Sequence, residues 1–436
     1  MRIGPQLSFA STCAPIEALR GDYDGDEINL HLPQGAHVTA ELHTIMSVSE
    51  QIVTGQSGSP VVKLIQDAVV DGDLASRCVS TGPNHRPVAF WLTHIDHVTH
   101  CPRSLGRAIF SQVALDLPEP ADCGGTIGRL MRIRHNWDTF RHKNPDHPTV
   151  RAFAAAGIDY HTTGYALLSM CVPSNCCFQG RSPNTNRLVT MYRRARCLPA
   201  SMVPIVVDHG LFLGGWVTSD TLTGMHGLLG HIYHHHGPAA GLRFLDAMQR
   251  MTTSVSLYSY CPSVGLDDCL LRTDIRLSTR QVIAQSVADV NATLQATRAR
   301  SAIAPPYQLD GDDTTEMEIG RLVAVRIKSE SIIMQHTLGQ RSKRHGSPIA
   351  PGRFNQIALL CMVGTKGSVS NLVQCCHSLG QQVIQDERLP VTDYDRVFPH
   401  DEKDPANCVE SRGLLWRESF IDQGVANQPP VATLCT

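Results

Sequence analysis

The sequence predicts a multidomain protein of the α+β class. Its 436 residues, of which 42% are hydrophobic and 18% are charged, suffice for two or three domains with their own cores. Ile28, Leu30 and Leu32 alternate with polar residues just before a proline, a pattern typical of a short strand. Residues 278–300 and 316–336 carry apolar side chains at spacings of three to four, which predicts two amphipathic helices.

Charge and hydropathy exclude several classes of protein. The net charge of −2 provides no overall basic field, so any contact with nucleic acid must come from a local surface or a partner. No apolar run approaches the roughly 18 to 20 residues of a membrane span, and the first residues lack the apolar core of a signal peptide. We therefore expect an intracellular protein that does not contact a membrane.

Fifteen cysteines are scattered along the chain, and no two of them form a CxxC pair. A disulfide framework is not expected in a long chain without a signal sequence. A structural zinc site is not expected either, because such sites use closely spaced ligand pairs. We interpret the cysteines as reduced and mostly buried thiols.

Asp22, Asp24 and Asp26 stand at every second position just before the predicted strand. On a strand such residues lie about 6.5–7 Å apart, and on a helix residues i and i+2 do not face each other. Only a tight loop can bring the three carboxylates together, and Gly25 permits one. Converged carboxylates repel by about 4 kcal/mol per pair at about 4 Å with an effective dielectric constant near 20. We therefore expect the cluster to hold a cation.

Oxygen ligands favour Mg²⁺ or Ca²⁺. An EF-hand loop would need glycine and glutamate where this chain has Glu27 and Pro33, so the calcium loop is excluded. Mg²⁺ held by a few carboxylates, with substrate phosphates and water as its other ligands, is the arrangement of phosphoryl-transfer enzymes. The alternative is a solvated acidic turn.

The stretch GDYDGDEINLHLPQ resembles the NADFDGD signature of the largest subunit of multisubunit DNA-directed RNA polymerases, and it continues like the eukaryotic polymerase II-type form, DFDGDEMNLHLPQ. Further stretches, in the family's order, resemble its pore domain, its GIGD-type segment, its funnel and the piece before its bridge helix. These stretches are residues 51–67, 208–233, 265–270, 352–384 and 398–424. The family's clamp, bridge helix and trigger loop have no counterpart here, so we expect a central segment: a fragment, a split gene product or a truncated paralogue.

The resemblance implies a domain organisation. Residues 1–50 would be the C-terminal part of the active-site double-psi β-barrel, which carries the metal loop, with a helix around 38–50. Residues 51–270 would form the mixed α/β pore domain. Residues 271–424 would form the funnel domain with its helical hairpin, and 425–436 are an unmatched tail.

The resemblance also implies roles for individual residues. Asp22, Asp24 and Asp26 match the aspartates that hold the catalytic Mg²⁺, which activates the RNA 3′-hydroxyl while a second metal arrives with the incoming triphosphate. Lys366 and Ser368, in GTKGS, match a funnel-side segment near the nucleotide entry route. Its glycines would let the backbone approach phosphates; a surface turn is the alternative.

Arg20 departs from the family, which has asparagine at this position and uses it to read the incoming sugar. An arginine cannot make the same neutral amide contacts. Either Arg20 binds a phosphate of the substrate instead, or the site has drifted from polymerisation.

Other polar stretches are interpreted as structural. The polar segment 171–187 has the composition of a long loop, and LDGDD (309–313) that of a structural turn. RSKRHG (341–346) reads as a solvated linker, with a nucleic-acid or partner contact as the alternative. Two histidine clusters could bind a transition metal, but neither has a known ligand arrangement, so we interpret both as surface. Their members are His94, His97 and His100, and His231, His234, His235 and His236.

The sequence therefore predicts DNA-templated transfer of nucleotides from NTPs to an RNA 3′ end, only within a multisubunit complex. The expected partners are the second-largest polymerase subunit and other polymerase subunits, template DNA and nascent RNA. We expect a nuclear location, with a cytoplasmic viral factory as the alternative. A non-catalytic scaffold, which Arg20 and the missing bridge helix favour, remains open. An unrelated Mg²⁺-dependent hydrolase has no base or nucleophile constellation to support it.

Overall fold

The structure is a computed structural model, and its described part falls into two compact units. The first unit consists mainly of residues before 264 and the second mainly of residues after 263. The described residues are 11–22, 24–76, 80–81, 87–88, 113–117, 125–156, 159–180, 204–215, 217–258, 263–269, several positions between 277 and 292, 356–377, 379–381, 383–384, 387–388 and 414–415.

Helices make up most of the secondary structure in the described part of the first unit. They are α1 (Ala36–Thr44), α2 (Asp67–Ser76), α3 (Gly125–Lys143), α4 (Pro148–Ala156), a 3₁₀ turn (Tyr160–Thr162), α5 (Gly164–Cys171), α6 (Ser219–Thr223), α7 (Leu228–His236) and α8 (Pro238–Tyr258). Its strands are β1 (Ser80–Thr81), β2 (Pro87–Val88), β3 (Phe178–Gln179), β4 (Val206–Asp208) and β5 (Leu211–Gly214). Strands β1 and β2 pair antiparallel, and β3, β4 and β5 form an antiparallel sheet in that order.

Helix α5 is the centre of the first unit. Every one of its residues is buried, and the helix is contacted by α2, α3, α8 and β5. Its sequence, GYALLSMC, is apolar on all sides, which is the pattern of a helix surrounded by protein. The core is therefore built around this short helix.

A buried polar network ties α5 to the sheet. The Tyr160 hydroxyl lies 2.8 Å from the Ser169 hydroxyl and donates to the Phe212 carbonyl at 2.9 Å. The Ser169 hydroxyl accepts from the Phe212 amide at 2.8 Å. The Trp137 ring stacks on the Tyr160 ring with 4.2 Å between the centroids. Buried polar groups are costly without hydrogen-bond partners, so this network fixes the position of α5 relative to β5.

Residues after 263 contribute short elements. They are helices α9 (Leu266–Cys269), α10 (Gln356–Val363) and α11 (Val369–Cys376), and strands β6 (Gly380–Gln381), β7 (Val383–Ile384), β8 (Glu387–Arg388) and β9 (Leu414–Leu415). Strand β6 pairs with β9, and β7 pairs with β8. The buried Asp268 carboxylate accepts from the Gly265 amide at 2.9 Å and from the Gln356 amide at 3.0 Å. One carboxylate thus caps the start of α9 and the start of α10.

The prediction of a strand at 28–32 is wrong for the described structure. The side chains of Ile28, Leu30 and Leu32 are 48%, 71% and 79% exposed, and this stretch is not a strand. Alternating apolar residues form a strand only where a neighbouring strand supplies hydrogen bonds, and none of the described strands pairs here. The helix expected around 38–50 is present as α1 and ends earlier, at Thr44.

The loop expected over 171–187 is also partly wrong. Its described part contains β3, and Cys176 within it is fully buried. The predicted double-psi barrel, pore domain and funnel hairpin stay predictions. The described positions between 277 and 292 are helical, whereas 293–355 lie outside the described residues, together with LDGDD, RSKRHG and the histidine cluster at 94–100. None of the described helices has the length and apolar character to cross a membrane.

Asp71 supplies a test of the core. It lies on α2, is 1% exposed and accepts a hydrogen bond from the Ser256 hydroxyl on α8. Burial raises the pKa of Asp71 to about 7, and the neighbouring Asp67 adds to the rise. Between about pH 4 and pH 7 the folded protein therefore keeps a proton that the unfolded chain has lost, so stability falls as the pH rises through this window.

We expect Asp71→Asn to raise the free energy of unfolding at pH 8 by roughly 2–4 kcal/mol, with a gain that shrinks as the pH falls towards about 4. The amide keeps an acceptor for Ser256 and carries no charge. Urea unfolding across this pH range measures the effect. Asp138→Asn, at an exposed ion pair with Arg141, is the control, with an expected change below about 1 kcal/mol. A gain independent of pH would contradict the assignment.

Asp268→Ala should destabilise the second unit by about 2–3 kcal/mol, because two helix-starting amides lose a charged acceptor. The measurement is chemical unfolding followed by circular dichroism. Asp289→Ala, at an exposed carboxylate that accepts from Gln285, should change stability by less than about 0.5 kcal/mol. An equal change in the free energy of unfolding for both substitutions would show that capping by Asp268 stabilises the protein no more than an exposed hydrogen bond does.

Candidate functional site

The acidic loop, residues 21–26, follows a series of tight turns. The Leu19 amide donates to the Pro15 carbonyl at 3.1 Å, and the Gly21 amide donates to the Ile16 carbonyl at 3.0 Å. Gly25 has a φ of +114°, a conformation that side-chain-bearing residues rarely adopt. The glycine is therefore required by the backbone, as the sequence predicted.

The loop brings the three predicted aspartates together. One carboxylate oxygen each of Asp22, Asp24 and Asp26 lies within 4.8 Å of the other two. The Asp22 amide donates to the Asp26 carboxylate at 2.9 Å, and the Asp24 amide donates to the Asp22 carboxylate at 3.2 Å. Backbone donors inside the loop thus hold two of the three carboxylates, those of Asp26 and Asp22, within the cluster.

The charges of the cluster interact. A hydrogen bond between the two carboxyl groups raises the pKa of Asp24 and lowers the pKa of Asp22. The negative charges of Asp22 and Asp26 raise the pKa of Asp24 further. The negative charges of the cluster therefore oppose one another, and a cation would relieve this repulsion.

The preceding turn fixes the loop to the core. Ala14 is buried, and its carbonyl accepts from the Lys63 amide at 3.1 Å. The Lys63 ammonium also pairs with the Glu17 carboxylate at 2.8 Å. Val62 and Leu64, on either side of Lys63, are buried. Asp22, Asp24 and Asp26 are exposed, so their carboxylates are open to solvent while the base of the loop is held.

The donor set fits a hard cation. Three carboxylate oxygens are ligands that Mg²⁺ accepts, and exposure leaves its remaining positions to water or phosphate oxygens. In an octahedral site with Mg–O bonds of about 2.0–2.1 Å, neighbouring oxygens lie roughly 2.9 Å apart. The carboxylates would therefore draw closer together when they bind Mg²⁺.

Arg20 stands directly before the loop. Its side chain is exposed, and its φ of +52° is unusual for a residue other than glycine. Its amide donates to the Glu17 carbonyl at 3.0 Å, which closes the turn. Arg20 therefore lies in a tight turn directly before the acidic loop, with its side chain exposed to solvent.

Lys366 and Ser368 lie in the turn between α10 and α11. Both are exposed, and Gly364 and Gly367 have φ values of +76° and +74°. The Ser368 hydroxyl accepts from the Asn371 amide at 3.3 Å and lies 2.5 Å from the Asn371 side-chain oxygen. Ser368 is thus the N-cap of α11, while its predicted contact with substrate stays a prediction.

Sequence reasoning missed two clusters of metal-binding residue types. In each of them, one ligand atom per residue lies within 4.8 Å of the others. The clusters are Cys176 with His231 and His236, and Cys177 with Asp208 and His209. Their members come from separate parts of the chain, and the only sequence signals were the cysteine doublet and the histidine run at 231–236. The interpretation of this run as surface holds for His234 and His235 but is wrong for the half-buried His231 and His236.

Comparison with known families matches most of the chain. Residues 51–269 match the family described as RNA polymerase Rpb1, domain 3. Residues 316–414 match the family described as RNA polymerase Rpb1, domain 4.

Individual relatives align over nearly the whole chain. DNA-directed RNA polymerase subunit Rpo1N of Thermococcus celer is 23% identical over 413 residues, covering 92% of this chain and 39% of the relative. DNA-directed RNA polymerase III subunit RPC1 of Saccharomyces cerevisiae is 22% identical over 423 residues, covering 94% of this chain and 24% of the relative. This chain therefore spans about a quarter to two fifths of the length of these relatives.

The domain 3 match alone covers half of the chain, and the archaeal and eukaryotic relatives are subunits of DNA-directed RNA polymerases. This chain belongs to the RNA polymerase Rpb1 family of largest polymerase subunits.

Proposed function

We propose that this chain is the metal-loop, pore and funnel segment of the largest subunit of a DNA-directed RNA polymerase, and that its complex adds nucleotides to the RNA 3′ end by a two-metal mechanism. The observation that carries the proposal is the convergence of three carboxylates, within 4.8 Å, at the end of a turn anchored to the core. Membership of the Rpb1 family supports the same reaction.

In this proposal Asp22, Asp24 and Asp26 hold one Mg²⁺. When bound, the ion supplies Lewis-acid chemistry, polarising the attacking hydroxyl and neutralising charge on the phosphate. The chain's own residues fix the position of the ligand oxygens, because Gly25 sets the bend and the backbone amides of Asp22 and Asp24 hold two of the carboxylates. The rest of the coordination shell is left to water and substrate.

Two cations are assigned to the substrate. Arg20, at the rim of the loop, would contact a phosphate through its guanidinium, which can bind two oxygens at once. Lys366 would act on the triphosphate along its entry route as a point charge. The exposure of both side chains is compatible with these contacts.

The complex would contain the second-largest subunit and other polymerase subunits, and it would bind template DNA, nascent RNA and NTPs. The polymerase II-type assignment stays a prediction, because the relatives described above are an archaeal subunit and a polymerase III subunit. A nuclear location, with a viral factory as the alternative, also stays a prediction.

A non-catalytic scaffold is the second candidate, and the observation in its favour is Arg20. The scaffold would keep the fold and the contacts with other subunits, whereas its acidic loop would no longer bind Mg²⁺ productively. Metal binding at the loop separates the two candidates.

We expect the loop to bind Mn²⁺, used as a paramagnetic substitute for Mg²⁺, with an affinity that Asp24→Asn lowers at least about tenfold. Gly25→Ala should also lower it. An added Cβ meets no atom within 4 Å, so the loss would come from the backbone conformation alone. Electron paramagnetic resonance titration measures free Mn²⁺, and Glu27→Gln, at an exposed carboxylate beside the cluster, is the control.

Equal Mn²⁺ affinity in Asp24→Asn and the unsubstituted chain would exclude the loop as the metal site. Loss of affinity in Glu27→Gln to the same degree would show that the ion follows general negative charge and not the three-carboxylate geometry.

In a complex reconstituted with the remaining polymerase subunits, Asp24→Ala should lower the rate of nucleotide addition by roughly 10²–10³-fold or more, because the transition state loses its metal-based stabilisation. Assembly, followed by co-purification, should not change, since Asp24 is exposed on a loop. Glu27→Ala should keep the rate within about threefold. RNA synthesis by Asp24→Ala at the normal rate would remove the catalytic proposal.

A further inference from the structure

We propose that Cys176, His231 and His236 form a zinc site that fastens the segment before β3 to helix α7. This site is separate from the acidic loop, and it does not depend on the proposed polymerase reaction. Its ligands come from positions 55 and 60 residues apart in the sequence, so a bound ion would cross-link two elements of the first unit.

The cysteine is held by a tight turn. The Cys176 amide donates to the Pro173 carbonyl at 3.0 Å, and the Cys176 carbonyl accepts from the Gly210 amide at 2.9 Å. The Cys176 side chain is fully buried. Hydrogen bonds made by its own amide and its own carbonyl therefore fix the backbone position of Cys176.

The two histidines are placed by α7. His231 lies in the middle of the helix, and His236 is its last residue, before Gly237 ends the helix with a φ of +87°. The buried side of α7 contains Leu228, Leu229 and Ile232, which set the rotation of the helix on the core. Both histidines are half-buried, unlike the exposed His234 and His235 between them.

The ligand atoms are close enough for one ion. One nitrogen of each histidine and the Cys176 sulfur lie within 4.8 Å of one another. With Zn–N bonds of about 2.0–2.1 Å and a Zn–S bond of about 2.3 Å, ligand atoms in a tetrahedral site lie roughly 3.5 Å apart. Side-chain adjustments of about 1 Å would close this gap.

A second contact orients one ligand. The Phe178 ring, two residues after Cys176, lies 5.1 Å from the His231 ring, between centroids. The imidazole is therefore already held against the segment that carries Cys176.

The ligand types suit the same ion. A metal binds the thiolate form of cysteine, so the Cys176 thiol must release its proton to solvent when the ion binds. One thiolate and two imidazoles are sulfur and nitrogen ligands, which favour Zn²⁺ over Mg²⁺ or Ca²⁺ and leave a fourth position to water.

The neighbouring cluster provides an internal comparison. The His209 ring lies 2.7 Å from the Asp208 carboxylate, and the Cys177 sulfur lies 3.8 Å from each of them. The His209 amide donates to the same sulfur at 3.4 Å. Hydrogen bonds between the members explain their proximity, and Cys177 and His209 are exposed, so we assign the ion to Cys176 and not to Cys177.

The test uses the full chain, with zinc measured by mass spectrometry after washing with a mild chelator. We expect one zinc ion per chain in the unsubstituted protein and in the controls Cys177→Ser and His234→Ala. We expect at least about a 100-fold loss of zinc affinity in Cys176→Ser, His231→Ala and His236→Ala, since even indirect contacts to a metal are worth 10–100-fold. Circular dichroism checks folding, and His236→Ala, at a half-buried helix end, keeps the test valid if Cys176→Ser misfolds.

Cobalt substitution supplies an independent readout. Co²⁺ at this site should give a thiolate-to-cobalt charge-transfer band that disappears in Cys176→Ser and persists in Cys177→Ser. Zinc removal should lower the melting temperature of the unsubstituted protein by about 5 °C and leave that of His236→Ala unchanged. Absence of zinc from the washed protein, zinc retained by Cys176→Ser and His236→Ala, or a band that follows Cys177 would each overturn the proposal.

Discussion

Mutual repulsion of three carboxylates, brought together by one glycine-dependent bend, is the constraint on which the account depends. The bend requires a φ that glycine adopts readily, and backbone amides within the loop hold the carboxylates of Asp26 and Asp22. The result is a site in which the negative charges of neighbouring carboxylates repel one another, as the raised pKa of Asp24 indicates. A divalent cation is the ligand that such an arrangement favours.

The remainder of the first unit gives the exposed loop a rigid base. The turn before the loop is bound to the chain at Ala14 and Lys63, beside the buried Val62 and Leu64. The described core is organised around α5, which has no polar face and is therefore enclosed by helices and by the β3–β5 sheet. The acidic loop is exposed because burying charged groups is costly, and α5 is enclosed because burying apolar surface is favourable.

The convergence of the aspartates could be predicted from the sequence because it is local: spacing excluded helix and strand, and Gly25 supplied the bend. Whether residues 28–32 form a strand could not be predicted from local sequence. The alternation of Ile28, Leu30 and Leu32 shows which side chains would share one face of a strand, but it does not show which strand would pair with it. The contact of Cys176 with α7 was missed for a related reason. Its ligand types are distant in the sequence and meet only through tertiary packing of β3 against α7.

The most direct test of the central claim is the position of a bound divalent ion. Crystals of the protein soaked in Mn²⁺ would be measured at the manganese absorption edge, so that anomalous scattering locates the ion without interpretation of weak density. We predict one peak within coordination distance of an oxygen from each of Asp22, Asp24 and Asp26. A loop with no peak, or with an ion bound by only one of the three side chains, would contradict the account.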